Sequence, residues 1–359
     1  MSKTEWLSAA PMSATNSKAD TPLFPFLVRL VRGENLSVED AAEFFRALTD
    51  LNANPAQIAG SLAALTAKGE TAEELAGMAR VMREQATKII SRNKNFIDLA
   101  GTGSSPAKTF NVSTAAVFVA AGAGLTVAKH TNRFVTSQSG SADVLAKLGV
   151  KVSGEPEIAQ TCLNGVGICF MFAPKFHPSL RRVGDVRRSL GIRSCLNLLG
   201  VLANPANAPK QLVGVWHKSL VEPMARALAL LGTEKSWVVH GLDGLDELTL
   251  AGENMVAEVS GDKLRTFKIA PEDFKLQRAG IEHLRAGSAE QSAKIIREVL
   301  ASRRRDEARS LIVLNAAAAL LIGGIAKTPV QAARLAEQSI DSGQAQNKLD
   351  RLIQTTNKR

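Results

Sequence analysis

The sequence contains no tyrosine, and aromatic residues make up only 4% of its 359 residues. A β-sandwich that depends on aromatic cross-strand pairs is therefore disfavoured. The three cysteines, Cys162, Cys169 and Cys195, have no CxxC spacing and leave one thiol over in any pairing. We expect buried, reduced thiols in a reducing compartment rather than disulfides.

Long apolar runs are also missing. The most apolar segment, 311–323, contains Asn315 and falls short of the ~20 residues that span a bilayer. It is predicted to be a buried helix. The N-terminus carries Glu5, and Pro11 interrupts its short apolar stretch, so the apolar region of a signal peptide is not found. We expect a cytoplasmic protein without a membrane segment.

Length and charge narrow the class of protein. A chain of 359 residues, 45% of them hydrophobic, suffices for roughly two domains and can bury a sizeable core. The 44 Lys and Arg against 34 Asp and Glu give a net charge of +10 and a pI near 9.7. This balance suits an anionic ligand, either a phosphorylated small molecule or a nucleic acid. Charge alone does not choose between the two.

The order of predicted elements divides the chain. Residues 1–21 are rich in Ser, Ala, Thr and Lys, and we expect them to form a disordered tail. From there to about residue 90 the apolar residues recur at helical spacing. Capping signals such as Asn54-Pro55 and the pair Thr71 and Glu74 mark helix starts. The segment is predicted to be a small helical unit.

Short apolar strands alternate with helical segments from Asn95 onward. Strands are predicted at 96–100, 125–128, 168–173, 212–215 and 237–240, with a hairpin over 256–269. The alternation predicts an α/β domain with a largely parallel sheet covered on both faces, and the hairpin is an antiparallel departure. The last hundred residues are predicted to be mostly helical.

A glycine-containing loop, 101–105, joins the first predicted strand to a helix that begins at Asn111-Val112-Ser113-Thr114. Glycine lets a backbone approach an anion closely, and a helix N-terminus offers free N–H groups. An ordinary turn followed by a helix cap would use the same residue types. The loop alone therefore leaves phosphate binding and plain capping equally open.

A second polar segment, 129–141, follows the next predicted strand and contains two cations and five hydroxyl side chains. Ligands of α/β sheets bind at the carboxyl ends of strands, and hydroxyl groups suit phosphate or sugar oxygens. A third segment, 175–193, carries six cations against Asp185 and also contains His177. Arginine suits carboxylate or phosphate, although we expect only one or two of these cations to bind a ligand.

Carboxylates follow the predicted strand 237–240, as Asp243, Asp246 and Glu247 in a glycine-bearing loop. Paired carboxylates suit Mg²⁺, which takes oxygen ligands and usually bridges carboxylates to substrate phosphates. A pair of charges at a helix start is the simpler alternative. The anion-binding signals elsewhere in the chain favour the metal.

In combination these segments resemble the anthranilate phosphoribosyltransferase family, over about residues 24–357. The matching segments are 30–34, 68–71, 101–114, 129–148, 172–178, 186–191, 197–200 and 244–247. The resemblance implies a small helical N-terminal domain, 22–92, completed by helices within about 184–210. A hinge would join it to a larger α/β domain, 93–359, with a mostly parallel central sheet like that of nucleoside phosphorylases and phosphoribosyltransferases. It also implies a homodimer that forms through the helical domains, and an active site between the two domains.

The reaction implied by the resemblance is transfer of the 5-phosphoribosyl group from phosphoribosyl pyrophosphate to anthranilate, in tryptophan biosynthesis, with Mg²⁺ as cofactor. The residues implied to bind phosphoribosyl pyrophosphate are Gly101, Ser104, Ser105, Thr109, Asn111, Ser113, Thr114, Lys129, Asn132, Ser137 and Ser141. Those implied to bind anthranilate are Gly101, Asn132, His177 and Arg187. The implied Mg²⁺ ligands are Ser113, Asp246 and Glu247. Arg187 is expected on the same helix as His177, nearly three turns further on.

Departures from the family pattern keep two alternatives open. The loop usually reads Gly-Thr-Gly-Gly-Asp, and here Ser104 and Ser105 take its last two positions, while Thr131 stands for a glycine. A protein of the same fold could use another aromatic or heterocyclic acceptor or act as a pyrimidine nucleoside phosphorylase, although Asn132, His177 and Arg187 favour a carboxylated aromatic acceptor.

The second alternative is a protein without enzymatic activity that binds nucleic acid. The basic pI and the run Arg303-Arg304-Arg305 suggest it. The scarcity of aromatic residues for base stacking disfavours it, as do Asp306 and Glu307 directly after the run.

Overall fold

The computed structural model describes residues 21–103, 105, 107–132, 140–152 and 154–358. The predicted tail therefore lies almost wholly outside the described residues. Four helices come first: α1 (Phe24–Val31), α2 (Val38–Thr49), α3 (Pro55–Lys68) and α4 (Ala72–Glu84). The predicted helical character of this segment is confirmed.

The starts of these helices follow from local sequence. At α3 the side chain of Asn54 accepts a hydrogen bond from the amide of Ala56, and Pro55 is the first helical residue. At α4 Thr71 and Glu74 form the predicted capping box, each side chain accepting a backbone N–H of the other residue. Short polar motifs thus set where the helices begin.

One seven-stranded sheet forms the centre of the α/β part. Its strands are β1 (Phe96–Gly101), β2 (Thr126–Thr131), β3 (Ile168–Phe172), β4 (Lys210–Gly214), β5 (Lys235–Gly241), β6 (Asn254–Ser260) and β7 (Lys263–Ile269). They lie in the order β3-β2-β1-β4-β5-β6-β7. The first five are parallel, and β6 and β7 pair antiparallel as the predicted hairpin.

One strand boundary differs in a way that matters for the site. The second strand was expected to end at Ala128, but β2 continues to Thr131, because Lys129, His130 and Thr131 pair in register with β3. Lys129 is therefore a buried strand residue, 3% exposed, and not part of an exposed polar loop.

Helices cover both faces of the sheet. They are α5 (Val112–Gly122), α6 (Ser141–Leu148), α7 (Pro156–Val166), α8 (Ala173–Phe176), α9 (Arg181–Leu190), α10 (Cys195–Leu202), α11 (Val221–Leu230), α12 (Ala289–Leu300), α13 (Glu307–Ile322), α14 (Pro329–Asp341) and α15 (Gln344–Thr356). The segment 311–323 lies almost wholly in α13, which is buried as predicted. None of the helices in the described ranges is both long and apolar enough to cross a membrane.

Two apolar clusters hold the layers together. One joins Ile97 and Leu99 of β1 to α5 and α13, and the other joins Val213 of β4 to α2–α4, α10 and α11. Helices α9 and α10 pack on α3, in the region where completion of the helical domain was expected. The domain boundaries themselves stay predictions. The three cysteines are buried and unpaired, and burial raises the pKa of each thiol.

The strand order creates a crevice. From β1 the chain proceeds to β2 and β3 on one side and then returns to add β4 and β5 on the other. The carboxyl ends of β1 and β4 therefore meet at the switch point, with Gly101 opposite Gly214. In α/β sheets this is where ligands bind.

Candidate active site

The loop after β1 is held against β4. The amide of Thr102 donates to the carbonyl of Gly214 at 2.9 Å, and its hydroxyl oxygen accepts from the amide of Trp216 at 3.2 Å. The next residue, Gly103, has a φ of +69°, which glycine adopts without strain. The loop is therefore fixed up to its second glycine. Ser104 lies outside the described residues.

Each of the two predicted metal-binding carboxylates accepts a hydrogen bond from a predicted anion-binding segment. One segment is the loop after β1, and the other is the start of α5. Oδ2 of Asp246 accepts from the amide of Gly103 at 2.7 Å. Oε1 of Glu247 accepts from the amide of Ser113, in the first turn of α5, at 2.8 Å. Burial, followed by the neighbouring charge of Asp246, raises the pKa of Glu247 to about 8. The acidic loop thus joins the glycine loop and the helix start in one site.

Two glycines make the close approach of Asp246 possible. A Cβ on Gly214 would lie 1.7 Å from the carbonyl oxygen of Asp246, and one on Gly101 would lie 2.9 Å from its Oδ2. No other residue fits at Gly214 unless the acidic loop moves. Gly214 was not among the predicted site residues, because its role depends on a neighbour 32 positions away in the sequence.

Lys129 lies beneath this site. Its ammonium group donates to the carbonyl of Leu99 and lies 3.3 Å from the hydroxyl oxygen of Ser113. Burial lowers the pKa of Lys129. The nearby negative charges of Asp98, Glu247 and Asp246 act in the opposite direction. The lysine is therefore placed to balance carboxylates below the crevice.

Asp98 is a buried acid that was not among the predicted site residues. Its oxygens accept hydrogen bonds from the amide of His130 at 3.2 Å and from the side chain of Asn204 at 2.8 Å. Burial raises the pKa of Asp98 to about 6. An acid at the centre of the apolar strand 96–100 was the available signal. Its contacts fix the backbone next to Lys129.

His177 lies against His130, with ring centroids 4.9 Å apart in an edge-to-face arrangement. It is 2% exposed, and burial lowers its pKa to about 2, so the ring is neutral at physiological pH. The expectation that His177 shares a helix with Arg187 is wrong. Helix α8 ends before His177, because Pro178 disfavours helical backbone at the preceding residue. A 3-10 turn then leads into α9.

Arg187 lies near the end of α9 and is half-buried. Burial lowers the pKa of its guanidinium. In the part of the chain that the structure describes, its Nε has no hydrogen-bond partner. Its neighbour Arg188 is exposed and pairs with Asp185 on the same helix. Of the two arginines, only Arg187 presents a buried, unused donor.

The segment after β2 folds back on itself. The hydroxyl groups of Thr131 and Ser141 are in short contact, and the carbonyl of Asn132 accepts from the amide of Ala142 at 3.2 Å. These bonds bring the end of β2 to the start of α6. Ser137 lies outside the described residues, and so does the rest of 133–139.

Three of the remaining predicted phosphate ligands, Ser105, Thr109 and Asn111, have local hydrogen-bond partners. Ser105 and Thr109 donate their hydroxyl protons to carbonyl oxygens one or two residues further on. Asn111 exchanges two hydrogen bonds with Ser292, of 2.9 and 3.0 Å, and makes no side-chain cap of α5. Thr114 is fully buried within α5. Their predicted roles stay predictions.

The structure therefore gathers five predicted residues at the switch point: Gly101, Ser113, Lys129, Asp246 and Glu247. His177 joins this group indirectly, through His130. The basic run at 303–305 does not form an uncompensated patch. Two of its arginines pair with acids, Arg304 with Asp306 at 2.7 Å and Arg305 with Asp341 at 3.3 Å.

The donor set at the switch point fits Mg²⁺. Two carboxylates and a serine hydroxyl supply hard oxygen atoms, and each carboxylate has an oxygen beyond the one that accepts the backbone bond. Within the described ranges no three His, Cys, Asp or Glu side chains form a protein-only metal site. Mg²⁺ does not require a complete set of protein ligands, because waters and substrate phosphates usually fill the rest of its coordination shell.

Family models match most of the chain. The model described as the glycosyl transferase family, a/b domain, matches residues 93–346, and its helical bundle domain matches 25–86. The anthranilate phosphoribosyltransferase of Moorella thermoacetica is 46% identical over 325 residues, covering 90% of this chain and 96% of the relative. That of Chloroflexus aggregans is 48% identical over 328 residues, covering 91% and 96%.

Solved structures agree in fold. Anthranilate phosphoribosyltransferase from Thermus thermophilus is 38% identical with a TM-score of 0.87, covering 93% of this chain and 99% of that one. The Saccharomyces cerevisiae enzyme in complex with PRPP and Mg is 25% identical with a TM-score of 0.86, covering 95% and 99%.

Proposed function

Because the chain belongs to the anthranilate phosphoribosyltransferase family, we propose that it transfers the 5-phosphoribosyl group from phosphoribosyl pyrophosphate to anthranilate. The products are N-(5-phosphoribosyl)anthranilate and pyrophosphate, in tryptophan biosynthesis. The bond between the ribose C1 and the pyrophosphate oxygen breaks, a bond from C1 to the anthranilate nitrogen forms, and that nitrogen loses a proton.

One observation carries the proposal. At the switch point of the sheet, Asp246 and Glu247 each bind one of the two backbones that suit a phosphate, at 2.7 and 2.8 Å. Mg²⁺ is usually bound by one or two carboxylates together with substrate phosphates, and these two carboxylates lie directly at the N–H groups where a phosphate would bind. A sugar pyrophosphate with Mg²⁺ fits this arrangement.

The difficult step of the reaction is the departure of pyrophosphate. An aromatic amine is neutral at pH 7, so its attack needs no strong base. Pyrophosphate leaves with added negative charge, which the N–H groups at the start of α5 and the ammonium group of Lys129 stabilise. Ser113, Asp246 and Glu247 would hold Mg²⁺, which as a Lewis acid stabilises charge on the phosphate oxygens.

Arg187 is proposed to bind the carboxylate of anthranilate. Its buried Nε without a partner supports this role, since a buried guanidinium donor is costly to leave unpaired. Asn132, at the end of β2, is proposed to contact both substrates. His177 is covered, so we propose that it shapes the acceptor pocket from beneath by supporting His130.

The test is a fluorescence assay of the purified protein. Loss of anthranilate emission should require both phosphoribosyl pyrophosphate and Mg²⁺, and removal of Mg²⁺ by a chelator should stop it. Aniline, which lacks the carboxylate, and 4-aminobenzoate, which moves it, are the matched acceptor controls. Pyrophosphate release with a different acceptor but not with anthranilate would instead support the alternative of a changed acceptor.

The nucleic-acid alternative predicts a different result. Binding to single-stranded nucleic acid with a steep salt dependence, and no phosphoribosyl transfer, would support it. The pairing of Arg304 and Arg305 with acids argues against such a surface.

Assembly and location also remain proposals. A homodimer through the helical domain would cover exposed apolar residues of α1, Phe24 and Val31, which are 37% and 53% exposed. Light scattering on the full chain, with Val31→Glu as the variant expected to dissociate, would test it. A cytoplasmic location stays a prediction from the sequence.

A further inference from the structure

Helix α13 contains one polar side chain deep in an apolar segment. Asn315 is 3% exposed, and its neighbours in the helix from Ala316 to Leu320 are all buried apolar residues. A buried amide costs ~1–3 kcal/mol when its hydrogen-bonding groups are unpaired. The amide of Asn315 therefore needs hydrogen-bond partners inside the protein.

The partners of Asn315 lie in the acidic loop. Its Oδ1 accepts from the amide of Leu248 at 3.1 Å, and its Nδ2 donates to the carbonyl of Leu248 at 3.0 Å. The same Nδ2 also donates to Leu311, one turn earlier in α13, at 3.0 Å. Asn315 therefore pairs both backbone groups of the residue that directly follows Glu247.

A second buried asparagine extends this arrangement. Asn254, at the start of β6, accepts from the amide of Thr249 at 2.7 Å and donates to its carbonyl at 3.1 Å. Two consecutive residues after Glu247 are thus bound through their backbones by asparagine side chains. The loop has little freedom on its carboxyl-terminal side.

Glu247 is also fixed on its other side. Its carboxylate accepts from the amide of Ser113 on α5, and α5 packs against α13 within one apolar cluster. Two packed helices therefore bind the same short segment, one through the side chain of Glu247 and the other through the backbone beside it. These contacts from both helices restrict where the carboxylate can lie.

We infer that Asn315 is a positioning residue for the proposed metal-binding carboxylate of Glu247. The inference depends on the proposed function only through the role of Glu247. Asn315 touches no substrate in this arrangement, and it acts by holding the backbone of Leu248. Its loss should leave Glu247 chemically intact but misplaced, whereas loss of Glu247 removes the ligand itself.

The experiment replaces Asn315 with leucine, which has a similar volume and no hydrogen-bonding group, and with serine as a second variant in case the leucine form folds poorly. Hydrogen exchange of the metal-free protein is the first measurement. Exchange of the Leu248 amide should become faster by about tenfold or more, as expected when one buried hydrogen bond is lost.

The second measurement is Mn²⁺ binding followed by electron paramagnetic resonance, with phosphoribosyl pyrophosphate present. Changes in residues that orient a metal ligand weaken metal binding by about 10- to 100-fold. Asn315→Leu and Asn315→Ser should fall in this range, and the Mg²⁺ concentration for half-maximal turnover should rise in parallel.

Ser339→Ala is the matched control. Ser339 is buried like Asn315, and its side chain likewise donates a hydrogen bond to a backbone carbonyl. That carbonyl belongs to Val119 of α5, at 2.7 Å, and lies away from the acidic loop. It should lower the melting temperature without changing Mn²⁺ binding. A general loss of packing would affect the metal in both variants equally.

A double variant, Asn315→Leu with Glu247→Gln, tests whether Asn315 acts through Glu247. If Asn315 acts through Glu247, adding Asn315→Leu to Glu247→Gln should weaken Mn²⁺ binding far less than it does in the wild type. Equal effects in the two backgrounds, or unchanged Mn²⁺ binding in both Asn315 variants, would overturn the inference. Wild-type Mn²⁺ binding in Glu247→Gln alone would instead overturn the proposed role of Glu247.

Discussion

Substitution of Gly214 by alanine tests whether the close approach of the acidic loop matters. The added Cβ would lie 1.7 Å from the carbonyl oxygen of Asp246, well below the 3.0 Å that real Cβ contacts respect. The Asp246 backbone must therefore retreat by roughly 1.3 Å or β4 must bend by a similar amount, since overpacked sites relax by backbone shifts. The folded protein should survive, because such overpacking costs ~1–3 kcal/mol.

The effect on activity should exceed the effect on stability. A displacement of that size breaks the 2.7 Å bond between Asp246 and the Gly103 amide. A hydrogen bond to a charged group contributes ~1.5–3 kcal/mol, so kcat/KM should fall by about 10- to 100-fold. The Mg²⁺ requirement should rise because one proposed ligand has moved.

Gly252→Ala is the matched control for this prediction. Gly252 lies in the same loop, and no atom is within 4 Å of the place where its Cβ would be. Steady-state kinetics over a Mg²⁺ titration, with melting temperatures for both variants, are the measurements. If Gly214→Ala retained wild-type kinetics and Mg²⁺ dependence, the placement of Asp246 against β4 would be irrelevant to the reaction.

Three further predictions use other parts of the site. Arg187→Ala should raise the KM for anthranilate by about tenfold or more while Arg188→Ala has a milder effect, as measured by acceptor titration at saturating phosphoribosyl pyrophosphate; an unchanged KM would refute the acceptor assignment. Asp246→Asn should lower the rate and raise the Mg²⁺ requirement, and an unchanged Mg²⁺ titration would contradict its proposed role as a ligand. Burial lowers the pKa values of His130 and His177 to about 4 and about 2, below the 6.5 of the unfolded chain, so protons bind preferentially to the unfolded state below pH 6.5. Between pH 7.5 and 5 each histidine should therefore lower the free energy of unfolding by about 2 kcal/mol. The buried acids Asp98 and Glu247, whose pKa values burial raises to about 6 and about 8, act in the opposite direction, so the wild type is compared with His177→Phe. In urea titrations the free energy of unfolding of the wild type should fall by about 2 kcal/mol relative to that of His177→Phe over this pH range; an unchanged difference would refute the assignment.

Local patterns predicted much of the fold. The capping box at Thr71 and the proline after Asn54 gave correct helix starts, because caps depend on residues three or fewer positions apart. The five parallel strands and the hairpin were also predicted, because short apolar runs bounded by turn residues are typical of buried strands. The end of β2 was missed, because Lys129 looks like a loop residue until its pairing partners on β3 are known.

The site was predictable only in its parts. Loop glycines, the helix start and the acidic pair were each visible as candidates, but a sequence without its fold does not say that Gly103 contacts Asp246. The roles of Gly214, Asp98 and Asn315 depend wholly on distant neighbours. Asp98 and Asn315 did leave a local irregularity, an acid and an amide inside apolar runs.

The hydrogen bonds between Asp246 and the Gly103 amide and between Glu247 and the Ser113 amide link the binding of the cation to the binding of the anion. The protein's own carboxyl groups already accept hydrogen bonds from two of the N–H groups that suit a phosphate, so a bare pyrophosphate group would have to compete with them for these donors. A cation that binds the carboxylates removes that competition. Cation and anion should therefore each raise the affinity for the other by the same factor, which is thermodynamic coupling within a single site.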